Sequence, residues 1–416
     1  MKILLKNARI IKMDDSPMLE GDILINGNKI EKIGKNIDEK GINQVINCEG
    51  NILLPGFKNA HAHTAMTFLR GGGEGLALQD WLFTYCFPRE DKLTPNDVYC
   101  ATKVGVVEYI QAGITASFDM YFFPIMIGKA SEELGFRMVL QGMYNSYTDK
   151  KELIRLYNEY NSKENSFITY QVGVHAEYTL GDESKDNTLE VINELKIPFF
   201  THISETEHEV KECYERHGVS PVKYFADKGF YDFGGAGYHC IFFSDDDIKI
   251  FKEKGVSIIT CPGSNQYLND GVCPVQKYLD NGFDVAIGTD GPASNYDLNM
   301  FLEMRILREN NPNIPAYEIL KMATRNSALA MKLNNCDTLQ EGKLADIIML
   351  DSNLISDRID IADSIVTNGN KDSVKMTMID GKILYMNKKL LLNEDVSKMY
   401  EDCEKVKERI NGEILC

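Results

Sequence analysis

The stretch ILLPGFKNAHAHT, residues 52–64, decides how this chain is read. An apolar run, Ile52–Phe57, is followed by two histidines, His61 and His63. Side chains two apart in a strand point to the same face. Both imidazoles can therefore reach one ion at the end of a strand. On its own, an H-x-H pair is equally consistent with two ordinary surface histidines.

The run Ile52–Phe57 is the first of eight apolar runs rich in β-branched and aromatic residues. The others are Ile114–Met120, Phe136–Met143, Phe167–His175, Ile197–Ser204, Gly235–Phe242, Val256–Cys261 and Phe283–Thr289. Helical patterns lie between them, for example Asp97–Ala112, Thr188–Leu195 and Asp245–Lys254. Eight strand-then-helix units predict an α/β fold, a (β/α)8 TIM barrel, whose active sites sit where the strands end. His202 ends the fifth run, His239 lies in the sixth and Asp290 closes the eighth. Any one of these could be a core or capping group. Their joint placement at strand ends, with His61 and His63, predicts a metal site suited to Zn²⁺ or Fe²⁺. Glu205, three residues after His202, can exchange protons with water and substrate. Ser204 and Glu207 also have the spacing of a helix capping box.

The chain ends read differently. KILLKNARII, GDILING and QVINCEG before residue 50, and KLADIIMLD and SVKMTMIDGKILY after residue 342, are short strand patterns. Neither end can bury a core alone. They are expected to pair as a small β-sandwich beside the barrel, with a terminal helix over Asp395–Ile410. The expected organisation is 1–55 and 343–416 for the sandwich and helix, and 56–342 for the hydrolase barrel.

Bulk properties narrow the function classes. The 416 residues are 44% hydrophobic and 26% charged, a globular mix. A net charge of −17 disfavours nucleic acid as partner but leaves small nucleosides open. The ten cysteines include no C-x-x-C pair, which points to reduced thiols in a cytoplasm. The N-terminal MKILLKNARIIK lacks the apolar core of a secretory signal, and no stretch approaches the ~18 apolar residues of a membrane span. Cys416 is not in a prenylation context. The chain has no G-x-S-x-G, no phosphate-binding P-loop and no H-x-E…P-C-x-x-C pattern. Gly71–Gly75 reads as a flexible loop near the site mouth.

Taken together, these motifs resemble the amidohydrolase superfamily, and within it the methylthioadenosine/S-adenosylhomocysteine deaminase and chlorohydrolase group. The resemblance runs through LLPGFKNAHAHTAMTFLRGG, DWLFTYCFPREDKLT, GITASFDMYF, THISETEHEV, CPGSNQYL, AIGTDGPASNYDLNMFLEMR and EGKLADIIMLD. It implies a cytoplasmic enzyme acting on a small molecule, without membrane or nucleic-acid partners, and open to homo-oligomer formation. It implies His61, His63, His202 and Asp290 as ligands of one divalent ion, Zn²⁺ or else Fe²⁺. His239 and Asp290 would serve the attacking water, and Glu205 would be the acid/base. Trp81, Glu90 and His175 would contact substrate, with Glu205 and Asp290 beside the reacting carbon. The fourth run, SFITYQVGVHAEY, lacks the lysine that two-metal relatives carbamylate, which favours one metal.

The implied reaction is deamination of a 6-aminopurine nucleoside. Guanine, triazine or pterin aminohydrolases and chlorohydrolases are the alternatives on the same scaffold. A catalytically dead metal-binding scaffold is the contrasting class, and the presence of every ligand and the glutamate argues against it. Three departures stand out: Glu177 where relatives often have proline, Thr260 where histidine is common, and Gln141 where some nucleoside deaminases carry arginine. The last weakens the case for a substrate with a carboxylate tail, and Arg137 reads as a barrel-rim salt bridge rather than an anion contact.

Overall fold

Eight parallel strands follow one another in space in chain order: Phe57–Ala62, Ile114–Asp119, Arg137–Gly142, Ile168–Gly173, Phe199–Ile203, Gly235–His239, Val256–Thr260 and Val285–Ile287. This computed structural model describes residues 1–145, 147–163, 166–355 and 359–415; the reading of Cys416 falls outside them. The strands are buried on both faces because helices such as Pro95–Gln111, Pro124–Glu133 and Asp245–Lys254 cover them. The expected (β/α)8 barrel is what the chain forms.

The first run divides in two. Ile52–Pro55 belongs to the second sheet, and the first barrel strand starts only at Phe57. A continuous apolar run gives no sign of this break, because both halves are buried. Gly56 marks it: a Cβ there would come within 2.1 Å of Thr115 Cγ2.

The second sheet takes strands from both ends of the chain. Its order runs Lys389–Leu390, Lys382–Met386, Val374–Ile379, Ile347–Leu350, Ile52–Pro55, Lys2–Ile10, Leu19–Asn26 and Lys29–Gly34, with Gln44–Asn47 also paired to Lys2–Ile10. The two ends join where Ile52–Pro55 pairs antiparallel with Ile347–Leu350. The sheet curls so that Ile3, Leu5 and Ile23 share one core with Met349, Met376 and Met378. The terminal helix, Val396–Leu415, lies on the Pro95–Gln111 helix of the barrel, and Arg409 donates to Asp97 across that contact at 2.6 Å.

The barrel closes between its last and first strands. Asp290 N–H donates to the His61 carbonyl at 3.0 Å, and Thr289 N–H to Asn59 Oδ1 at 2.8 Å. Gly288 permits this approach, since a Cβ there would stand 2.8 Å from the His61 backbone. The seam thus sets Asp290 beside His61.

Candidate active site

The strand ends bring the predicted residues to one place. His61, His63, His202 and Asp290 offer ligand atoms that all lie within 4.8 Å of one another. His61 Nε2 is 3.0 Å from His202 Nε2 and 3.3 Å from Asp290 Oδ1. His63 Nε2 is 3.1 Å from the same oxygen. His63 Nδ1 bonds the Met120 carbonyl, and His202 Nδ1 donates to the His175 carbonyl at 2.9 Å. Such bonds put the proton on Nδ1 and turn the Nε2 lone pair inward.

Burial holds His61 down at about 3 and His202 well below the usual imidazole range. Burial also works against a charged His63, but the neighbouring Asp290 outweighs it and pushes that ring up to about 8. A bound cation would compete with that proton for Nε2. Asp290 Oδ1 is buried and without a hydrogen-bond partner among the described residues. Facing imidazole nitrogens beside an unpartnered carboxylate oxygen fit a divalent ion, and nothing in the set is too long or too short to reach one.

The backbone turns sharply around this cluster. Ser204, His239 and Asp290 have φ of 50°, 68° and 59°. Non-glycine residues seldom adopt this left-handed region, at a cost of about 1–3 kcal/mol each where the surrounding structure imposes it. All three lie at or just beyond the ends of barrel strands.

Glu205 is buried, with Oε1 3.4 Å from His239 Nε2. Burial, then the nearby charges of Asp270 and Asp290, push its carboxyl well above the usual range. The helix cap expected at Ser204 lies two residues further on and is a single bond, without the reciprocal half of a capping box. Thr206 caps the helix Glu207–His217 by accepting from Glu209 N–H at 3.1 Å. The Glu209 carboxylate accepts the N–H groups of Ser204 and Glu205, both at 2.8 Å. The left-handed Ser204 explains the shift, since the chain must turn before the helix can start.

A pocket of about 260 Å³ opens beside the cluster. Trp81, Glu90, His175, Glu205 and Asp290, all expected at the substrate, line it. Glu90 accepts from Tyr121 Oη at 2.6 Å, and burial pushes its carboxyl up to about 7. His175 stacks on His202 with ring centroids 4.5 Å apart. The Gly71–Gly75 loop packs on this wall: a Cβ at Gly73 would come within 2.6 Å of Trp81 Cδ1.

Several residues around the site carried no chemical signal in the sequence. Ser264 and Ser294 both donate to Asp290 Oδ2, at 2.5 and 2.9 Å, and Asn265 Oδ1 lies 2.8 Å from His239 Nδ1. Glu303 accepts from Gly263 N–H and from Asn295 Nδ2, each at 2.7 Å. The quoted stretches CPGSNQYL and AIGTDGPASNYDLNMFLEMR hold them all, but only the three-dimensional arrangement links them.

The remaining expectations resolve as structure. His208 is exposed and pairs with Glu212 at 3.1 Å. His217 pairs with Glu177 at 2.8 Å and stacks on Tyr224 with ring centroids 4.2 Å apart. Glu177 also meets Arg216 and Lys185, so its departure from proline serves an ion-pair cluster. Gln141 lies inside the barrel, accepting from Tyr238 Oη at 2.8 Å. It does not line the pocket, so its identity carries no information about a substrate tail. Arg137 is likewise remote from the pocket, paired with Asp346 at 3.0 Å.

Among the described residues, no helix is long and apolar enough to cross a membrane. A 5-methylthioadenosine/S-adenosylhomocysteine deaminase from Caldanaerobacter subterraneus subsp. tengcongensis is 35% identical over 433 aligned positions, covering 100% of both chains. A 5'-deoxyadenosine deaminase from Methanobrevibacter smithii is 33% identical, covering 98% of each. The solved structure of an adenosine deaminase from Xanthomonas campestris with bound zinc shares the fold, with a TM-score of 0.90, 24% identity and coverage of 99% of this chain and 98% of that one. The amidohydrolase family model matches residues 52–384, from the strand before the barrel into the returning sheet. With that span and those relatives, the chain belongs to the amidohydrolase family.

Proposed function

We propose that this chain is a one-metal hydrolase that deaminates 6-aminopurine nucleosides to inosine-type products and ammonia. The observation that carries the reading is Glu205, a buried carboxyl 3.4 Å from His239 Nε2 and beside the four-ligand cluster, where burial and the nearby charges of Asp270 and Asp290 favour its protonated form. The relatives named as methylthioadenosine/S-adenosylhomocysteine and 5'-deoxyadenosine deaminases support the substrate class. His61, His63, His202 and Asp290 would hold the ion, with Zn²⁺ favoured by the donor set over Fe²⁺. When bound, such an ion polarises water and lowers its pKa towards neutrality.

The protein side chains divide the rest of the work. Glu205 donates its proton to the ring nitrogen next to the amino-bearing carbon, which makes that carbon electrophilic. His239 and Asp290 accept the proton that the attacking water loses. The amino group takes up that proton and leaves as ammonia, while the added hydroxyl gives its proton back to Glu205 and becomes the ring oxo group. Trp81 packs against the base, His175 lies beside the reacting ring, and Glu90 accepts hydrogen bonds from the ribose hydroxyls. Among the described residues, the pocket lining contains three carboxylates (Glu90, Glu205 and Asp290) but no lysine or arginine. This lining favours an uncharged 5′ group, such as deoxy or methylthio, over a tail ending in a carboxylate.

The test is ammonia release from zinc- or iron-loaded protein. Adenosine, 5′-deoxyadenosine, methylthioadenosine, S-adenosylhomocysteine, adenine and guanine are assayed side by side. Turnover of the 5′-deoxy and methylthio ribosides above S-adenosylhomocysteine is the expected ranking. Silence on all six with metal bound would move the reading to triazines, pterins or another amino-heterocycle.

A further inference from the structure

The short helix after the seventh barrel strand, Pro262–Tyr267, touches the site through two adjacent side chains. Ser264 Oγ reaches Asp290 Oδ2 at 2.5 Å, and Asn265 Oδ1 meets His239 Nδ1 at 2.8 Å. All these groups are buried. The helix start is itself fixed. Glu303, fully buried, accepts from Gly263 N–H at 2.7 Å, and a Cβ on Gly263 would stand 2.5 Å from Glu303 Oε1. Asn295 joins the same support, donating from Nδ2 to Glu303 Oε1 at 2.7 Å and to the Thr289 carbonyl at 2.6 Å.

A neutral imidazole carries one proton, and its position is set by the partner of each nitrogen. An amide oxygen can only accept. Facing Asn265 Oδ1, the ring must carry its proton on Nδ1. Its Nε2 is then a bare lone pair, and that atom is buried without a hydrogen-bond partner and aimed at Glu205 Oε1, 3.4 Å away. The neighbouring Ser264 occupies Asp290 Oδ2 and so leaves Oδ1 as the face turned to His61 and His63.

We propose that Asn265 is a positioning residue that fixes the tautomer of His239, so that Nε2 is always the proton-accepting atom on the face turned to Glu205. Ser264 performs the matching task for Asp290 from the same turn. The inference rests on the proton-handling role proposed for His239, but the tautomer can be read without any substrate.

The experiment uses the full-length zinc-loaded protein with ¹⁵N-labelled histidine. Only seven histidines contribute signals, and loss of one in H239N identifies His239. The wild-type ring is expected to show a protonated Nδ1 and a bare Nε2. N265D keeps an oxygen acceptor and is expected to keep that pattern. N265L removes the acceptor at similar volume and is expected to give mixed tautomers. Its kcat should fall about 10–100-fold, the range seen when an outer hydrogen-bond partner is lost, with KM and bound zinc unchanged. N265A replaces N265L if the larger side chain prevents folding. A wild-type His239 protonated at Nε2, or an N265L enzyme with wild-type kcat and an unchanged spectrum, would overturn the proposal. A chain inactive on every aminopurine would sink the deaminase reading and leave the spectroscopic result standing.

Discussion

The two ends of the barrel bury charge in opposite ways. At the amino-terminal end of the strands, the buried charges of Arg137, Asp346 and Lys58 have fixed protein partners. Arg137 makes two bonds to Asp346, at 3.0 and 3.2 Å, and a third to Asp380 at 3.3 Å. Lys58, fully buried, donates to the Gly56 carbonyl at 2.8 Å and to Thr115 Oγ1 at 2.7 Å. Burial would raise the Asp346 carboxyl, but the adjacent Arg137 charge holds it below the usual range. At the carboxyl-terminal end, Asp290 Oδ1, His239 Nε2, Asp119 Oδ1 and Trp81 Nε1 are buried without partners among the described residues. Unpaired buried polar atoms are destabilising, so a fold keeps them where a ligand completes them. The lower end uses charge to join the barrel to the curled sheet, and the upper end holds it open for chemistry.

Substitutions at the two ends should therefore dissociate activity from stability. At the upper end, Glu205→Gln should lower kcat about 10²–10⁴-fold, the usual range for loss of a positioned acid. Zinc content should not change, and Tm should stay the same or rise, because a carboxyl destabilised by burial and by Asp270 and Asp290 is removed. A Glu205→Gln enzyme with near-normal turnover would erase the contrast. At the lower end, Arg137→Leu leaves Asp346 buried and unpaired. It should cost about 3–5 kcal/mol in a denaturation experiment, while the folded fraction keeps its kcat. Unchanged stability would show that the lower ion pair is incidental. Glu90→Ala should weaken 6-aminopurine ribosides about 10–100-fold in kcat/KM and spare the free base, since a buried acceptor for the ribose hydroxyls is lost. An equal loss on both substrates would remove Glu90 from ribose recognition.

The same contrast explains what could be read from the chain alone. The upper end was legible because its chemistry sits on rare residue types at strand ends. His61, His63, His202, His239 and Asp290 each follow or close an apolar run, and strand direction collects them. The supporting shell was not legible. Ser264, Asn265 and Glu209 have the identities of helix caps and turn residues, and their partners lie up to 26 positions away. The capping box at Ser204 misled for a related reason, because local spacing cannot reveal that Ser204 turns left-handed. Pairing of the two incomplete ends into a small β-sandwich was expected, but the register that joins them in one curled sheet was not. Ile52–Pro55 meets Ile347–Leu350 across most of the barrel-forming sequence, and only backbone pairing fixes that match.

The smallest effect tests the open end most finely. Burial raises the Glu90 carboxyl from 4.5 to about 7, against the hydrogen bond from Tyr121. An acid raised in the folded state contributes most to stability below its unfolded value. That contribution is lost as pH climbs through the folded value. Ribose binding has the opposite sign, because the two hydroxyls donate best to the ionised carboxylate. Lowering the pH from 8 to 6 should protonate Glu90 and raise KM for a riboside about tenfold, while KM for the free base stays flat. In Glu90→Ala the riboside curve should lose this slope. A slope that persists in the variant belongs to another group in the pocket, and the open end would then owe its pH response to the cluster around Asp290 rather than to its ribose wall.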